Sequence, residues 1–163
     1  MVTAVSFSPD GRKVVVGTMK GKCRFYTCEQ DFKLEYEAQI GVKNRSGKHT
    51  GGKKITGLQY MPGAPTRLLV TTNDSRLRLY EGYSLLCKFK GLCNMDSQIK
   101  ACFSSDGVYV LCGSDSGAVC LWRTCNACSP GKGRSRSGKV CRLLCYCLYV
   151  ASLRAPPEQK LVS

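Results

Sequence analysis

Twelve cysteines and a single histidine set the chemistry open to this chain of 163 residues. Five of the cysteines fall near the C-terminus, as Cys125-x2-Cys128, then Cys141-x3-Cys145 and Cys147. Four thiolates in close pairs can hold a tetrahedral zinc ion, and this is the most metal-like spacing in the sequence. The second pair is loosely spaced, the segment between the pairs is Gly, Arg and Ser, and no histidine supports the set. Incidental clustering is therefore the favoured reading, and neither a metal nor another cofactor is expected. A thioredoxin-like dithiol would need a βαβ context, which the pattern does not supply. With His49 alone, no Gly-x-Ser-x-Gly and no paired carboxylates, no catalytic constellation can be assembled, and the chain is expected not to be an enzyme.

A second kind of chemistry comes from charge. Lys and Arg total 25 against 11 Asp and Glu, a formal net charge of +14. The segment 42–54 holds Lys43, Arg45, Lys48, Lys53 and Lys54, together with His49, and no acid. Such a set attracts phosphate, anionic lipid headgroups or RNA through long-range attraction and counterion release. No aromatic residue is interleaved to stack bases, so RNA is the weaker option. A solvated loop on a basic protein weighs evenly against a contact site. Gly47-Lys48 is not a phosphate-cradling loop, because Val42 stands where that motif needs its first glycine.

The elements that must carry this loop are repeated. Ala4-Val-Ser-Phe-Ser-Pro-Asp-Gly11 aligns without a gap on Lys100-Ala-Cys-Phe-Ser-Ser-Asp-Gly107, at an offset of 96. The register continues: Gly17-Thr18 falls on Gly113-Ser114, Gly21 on Gly117 and Phe25-Tyr26 on Leu121-Trp122. A third copy lies between, with Ile55–Tyr60 matching Val2–Phe7 at an offset of 53 and Leu79-Tyr80 matching Phe25-Tyr26 at 54. Units of about 2–39, 55–90 and 98–124 result. Each reads as β: an alternating strand, a Ser-x-Asp-Gly or Pro-Gly turn, a short apolar run such as Val14-Val-Val16, a second turn and a strand ending in an aromatic. Asp10, Asp74, Asp106 and Asp115 read as turn residues whose side chains bond their own backbone. Tyr26, Tyr80 and Trp122 read as core-packing aromatics. Four short strands per unit is the layout of a propeller blade.

On these residues, positions 2–123 resemble the WD-repeat β-propellers. Phe-Ser-x-Asp-Gly follows the first strand, Gly-Ser/Thr closes the second and an aromatic closes the third. No Gly-His dipeptide precedes a unit, and the units end Tyr26-Thr27, Tyr80-Glu81 and Trp122-Arg123 instead of Trp-Asp. The resemblance implies an Asp six residues before each aromatic, and only Asp74 stands there. Lys53–Gly57, Leu69-Val-Thr-Thr-Asn-Asp-Ser-Arg-Leu-Arg-Leu-Tyr80 and Ser97–Ala101 look like the rabphilin-like subgroup. That likeness implies a non-enzymatic scaffold in membrane traffic, with other proteins and a small GTPase as partners. It assigns no GTPase contact to a residue here.

The expected fold is thus all-β: an incomplete WD-repeat propeller of about three four-stranded blades in 1–124, then a disordered or poorly ordered C-terminal tail in 125–163. Three units are too few to close a ring, and the third lacks a recognisable fourth strand after Thr124. The sequence reads as a fragment whose missing partner is the rest of a propeller, in preference to a three-unit protein that closes by oligomerising, because the terminal caps that repeat arrays need are absent. The tail combines the basic Gly131–Gly138 with the Cys-rich Cys141–Val150, as an out-of-frame or read-through segment would. Its apolar stretch 143–153 is about half a bilayer span and reads as a buried strand or a sticky tail. With no signal peptide and no long apolar run, a cytoplasmic location is the default expectation.

Overall fold

The computed structural model describes residues 1–29, 33–43 and 52–124 in full, and the backbone of 139–141 and 143–149. The repeats become three sheets. Sheet one is a meander of β1 (Val2–Phe7), β2 (Lys13–Thr18), β3 (Lys22–Cys28) and β4 (Leu34–Gly41), paired in that order and antiparallel throughout. Sheet two contains β5 (Ile55–Met61), β6 (Ala64–Thr72), β7 (Arg76–Glu81) and β8 (Ser84–Phe89), again a meander. Sheet three is built from β9 (Cys102–Phe103), β10 (Tyr109–Gly113) and β11 (Ala118–Arg123).

Two further strands come from the region read as a tail. β12 (Lys139–Cys141) runs parallel to β8, and β13 (Leu143–Tyr149) pairs antiparallel with β11 as the outermost strand of sheet three. The third unit therefore does have a fourth strand, contrary to the sequence expectation. The Gly-rich segment that separates β13 from Thr124 hides this strand from a search for evenly spaced units.

The turns follow from local chemistry. In the β1–β2 turn the Ser8 hydroxyl donates to Asp10, whose Oδ1 accepts from the Arg12 amide at 3.1 Å, while Lys13 donates to Ser8 Oγ at 2.9 Å. The β9–β10 turn repeats the set: Ser104 donates to Asp106, Val108 to Asp106 Oδ1 at 2.9 Å and Tyr109 to Ser104 Oγ at 2.9 Å. Gly11 and Gly107 both hold φ 69°, which a side chain would resist.

Sheet two lies between the other two. One of its faces, with Leu58, Leu68, Val70 and Tyr80, packs with Ile55 against Val15, Cys23 and Phe25 of sheet one. The opposite face, with Leu69, Leu77, Leu79, Cys87 and Phe89, packs against Phe103, Val110, Cys112, Cys120 and Trp122 of sheet three. Burial pushes the Cys23 and Cys112 thiols up to about 12, so both behave as small apolar side chains. The first strands of the three units converge. Thr3 Oγ1 donates to the Ile55 carbonyl at 2.6 Å, and the Gln98 amide donates to the carbonyls of Thr56 at 3.0 Å and Thr3 at 3.4 Å. Ala101 and Phe103 give their amide hydrogens to the side chains of Thr71 and Gln59, which closes the free edge of β9.

Sheets one and two approach closely at Gly17, where an added Cβ would lie 2.6 Å from Ile55 Cγ2. The equivalent Gly113 has Ile99 Cγ2 at a relaxed 3.8 Å. Gly17→Ala should therefore destabilise the chain by about 1–3 kcal/mol through overpacking, whereas Gly113→Ala should be close to neutral. Trp122 is the sole tryptophan and is fully buried, so urea titration of its fluorescence reads both variants.

Candidate interaction surface

The basic segment leaves sheet one at the end of β4 and re-enters at β5. Its two ends are fixed by backbone. Val42 is buried and donates its amide hydrogen to the Gly21 carbonyl at 2.8 Å. Gly52 rests against Lys20 and Gly21 so closely that a Cβ on Gly21 would lie 2.8 Å from Gly52 Cα. Asn73 then donates to the Lys54 carbonyl at 3.0 Å, tying the re-entering chain to the β6–β7 turn. Glycine at 21 and 52 is thus a requirement of close approach.

This clamp places Lys43 and Lys53, both exposed, and the half-buried Lys54 beside the β2–β3 turn. Arg45 and Lys48, predicted as part of the same contact, lie outside the described residues. The turn adds residues that the sequence reading missed. Lys20 and Lys22, with Arg24, Thr18, Met1 and Val2, line a shallow groove of about 350 Å³. Arg24 is held by a 3.1 Å bond from its Nε to Gln39 Oε1. The available signal was Lys20-Gly21-Lys22, two lysines flanking a tight turn, unremarkable until the fold brings them to the loop. Among the described residues no carboxylate forms an ion pair with Lys20, Lys22, Lys43, Lys53 or Lys54, so their positive charge faces outward uncompensated.

The predicted turn residues separate into two kinds. Asp10 and Asp106 are exposed and accept from their own turns, and the hydroxyls of Ser8 and Ser104 lead in holding their carboxyls below the usual range. Asp74 and Asp115 reach further than their own backbone. Asp115, lowered chiefly by the Ser97 hydroxyl, accepts from the Met95 amide at 2.8 Å and braces the chain entering the third unit. Asp74 pairs with Arg78, four residues on. The Arg78 guanidinium is fully buried, donating to Thr72 Oγ1 at 2.7 Å and Asp74 Oδ1 at 3.1 Å, and a second nitrogen bonds Asp74 Oδ2. Arg78 was not singled out from sequence, because Arg76 and Arg78 alternate with Leu77 and Leu79 as on a strand with one solvated face.

Burial pushes the Asp74 carboxyl up, but the Arg78 hydrogen bonds and charge outweigh it, and the net shift is downward from 3.8. A lowered native pKa contributes stability that is present above 3.8 and lost as the pH falls through the native value. Asp74→Asn should destabilise by about 3–5 kcal/mol at neutral pH, because it strands a buried guanidinium. The variant should also lose part of the wild-type sensitivity to acid below 3.8. Urea midpoints measured at neutral pH and across the acid limb check both points.

The three repeat aromatics occupy one equivalent position. Tyr80 is buried between sheets one and two, and Trp122 between sheets two and three, where it lies 5.9 Å from Phe89 and donates its Nε1 hydrogen to the Lys90 carbonyl at 3.1 Å. Tyr26 instead sits on the outer side of sheet one, edge-on to Tyr36 at 5.9 Å, half-buried.

Comparison with known proteins agrees with this architecture. The family model described as "WD domain, G-beta repeat" matches residues 1–27 and 87–123, the segments that carry the Ser-x-Asp-Gly turns of the first and third units. WD repeat-containing protein 44 of Xenopus laevis is 44% identical over 126 residues, which cover 76% of this chain and 13% of that protein. An uncharacterized WD repeat-containing protein of Schizosaccharomyces pombe is 29% identical over 145 residues, 84% of this chain and 24% of that protein. The chain thus spans about an eighth to a quarter of the length of these relatives. Matched at both ends of the array, and built as stacked meanders of the repeat length, the repeats of this chain are similar to those of WD-repeat proteins.

Proposed function

We propose that the chain is a protein-interaction scaffold whose contact surface is the basic rim formed by Lys43, Lys53 and Lys54 with Lys20 and Lys22, with Arg45 and Lys48 of the same segment as further contacts by sequence alone. The observation that carries this reading is the convergence of the β4–β5 connection and the β2–β3 turn through the Gly21–Gly52 contact. It gathers positive charge that no described carboxylate neutralises. Such a surface suits an acidic patch on a partner protein, and electrostatic steering would speed the encounter. The family supplies the general role, since WD40 repeats act as interaction modules, while the site itself has to be argued from its residues. The likeness of Leu69–Tyr80 and its neighbours to the rabphilin-like subgroup supports a finer reading, in which the partner is a small GTPase of membrane traffic.

A second reading rests on the same charge. An anionic membrane surface or an RNA backbone offers the phosphate density that uncompensated lysines attract. The double variant Lys53→Glu/Lys54→Glu separates the two. It should abolish capture by acidic liposomes or RNA if phosphate is the target. If an acidic protein is the target, immobilised chain should lose that partner while liposome capture is weak in wild type and variant alike. Binding that survives both charge reversal and moderate salt overturns the basic rim as the contact site.

A further inference from the structure

Two backbone contacts gather the lysines of the basic rim. Gly52 lies on the β2–β3 turn so closely that a Cβ there would fall 2.3 Å from the Lys20 carbonyl oxygen, and a Cβ on Gly21 would fall 2.8 Å from that of Lys53. No side chain can stand between these backbones, so Lys20 and Lys53 flank a single glycine contact. Beside it, Lys22 on β3 and Gly41 on β4 are direct partners in the ladder and share a face. Lys43 runs past Gly41, its Cε 3.8 Å from the place of a Cβ, and so comes to the side of Lys22. Gly41 is exposed and Gly52 half-buried. The rim is therefore a lane with glycine at its floor and lysine along its sides, and where side chains are missing another backbone can come close.

The chemistry of the sides is uniform. Every described member of the rim is a lysine, whereas arginines are engaged inside the fold: Arg24 donates to Gln39, Arg67 to Glu81, and Arg78 to Asp74 and Thr72. A guanidinium fork reads a carboxylate in one planar geometry, but an ammonium on a four-carbon stem is a point charge that follows its counterion. No aromatic ring stands among these lysines to anchor a folded surface or to stack a base. The lane is thus matched to negative charge strung along an extended backbone, and it asks for no fixed arrangement of the groups that carry that charge.

From this we infer that the partner of the basic rim is an unfolded acidic segment of another protein, rich in Asp and Glu, which lies along the lane with its backbone over Gly41 and Gly52. The inference rests on the rim being the contact site and adds the form of its partner. A single extended chain can reach the glycine floor, where its carboxylates meet lysines on both sides. A bilayer surface is broad and flat and would meet only the tips of those lysines. Single-stranded RNA would find the charge but nothing on which to stack its bases. The contact belongs to the recognition modes in which charge density, and not a shaped pocket, selects the ligand.

The test is fluorescence anisotropy of the whole chain with a fluorescein-labelled peptide of alternating Glu and Ser. Binding should be saturable, weaken steeply with salt, and change by no more than about twofold when the peptide is scrambled at fixed composition. Lys53→Glu/Lys54→Glu should weaken it about tenfold or more. Arg12→Glu/Lys33→Glu makes the same change in net charge at exposed positions on the opposite end of sheet one, and should cost less than about threefold. Gly41→Val keeps every charge and has room, since only the Lys43 stem comes within 4 Å of an added Cβ. By filling the floor it should weaken binding about fivefold, with the urea midpoint read by Trp122 emission unchanged or raised. Equal loss in the two charge variants overturns the rim itself as the contact site. Loss in the rim variant alone, with Gly41→Val binding as wild type or with affinity that depends on residue order, keeps the rim and overturns the extended acidic segment. No peptide binding, or tighter capture of phosphatidylserine vesicles or single-stranded RNA at equal negative charge, overturns that segment as well.

Discussion

Both faces of sheet two are closed off from water, and the rest of the molecule is arranged around that constraint. Leu68, Leu69 and Val70 are all buried although successive residues point to opposite faces, so the alternation expected of a half-exposed strand is lost there. Each enclosed leucine contributes on the order of 1.5–3 kcal/mol, and the sheet holds several. A sheet enclosed in this way depends on its neighbours being held parallel and close. The convergence of the three first strands does this, with Gln98 and Thr3 bonding backbone carbonyls of adjoining units. Packing supplies most of the stabilisation, and the polar stitches set the spacing at which it operates.

The same enclosure explains the one fully buried charged residue among those described, Arg78. Arg78 stands where Arg24 stands in the first unit and Cys120 in the third. In sheet one the position is exposed, and Arg24 simply rests on Gln39. In sheet two the neighbouring sheet covers it, and an arginine there is tolerable only because Asp74 and Thr72 meet its nitrogens. An aspartate therefore stands in this turn in the unit where a buried cation needs it. In the exposed first unit Lys20 takes its place.

Much of this fold was readable from the chain. The offset of 96 without a gap, the Ser-x-Asp-Gly turns and the short apolar runs in the second strands each carry a local physical meaning, and local meaning survives into the structure. The four-strand layout expected of each unit is met in the first two by β4 and β8. What escaped was whatever depended on sequence-distant neighbours. A buried strand was one reading of the stretch 143–153, but β13 joins β11 across a segment with no strand pattern, so periodicity could not foretell its partner. Arg78 looks like a surface residue until a second sheet is laid over it. Lys20 and Lys22 became part of the basic surface only when two glycines let distant backbones touch. Lys43, Lys53 and Lys54 could be nominated by composition, yet their grouping was a matter of tertiary geometry.

The backbone contact between Gly21 and Gly52 has an evolutionary corollary. It secures both ends of the connection between the first two sheets at one point, with Val42 bonded to the same turn. The approach of the two sheets is thus set at the anchors themselves and not by the length of the connection. Changes of length in this connection are thereby confined to a single span, while the touching backbones require glycine at 21 and 52.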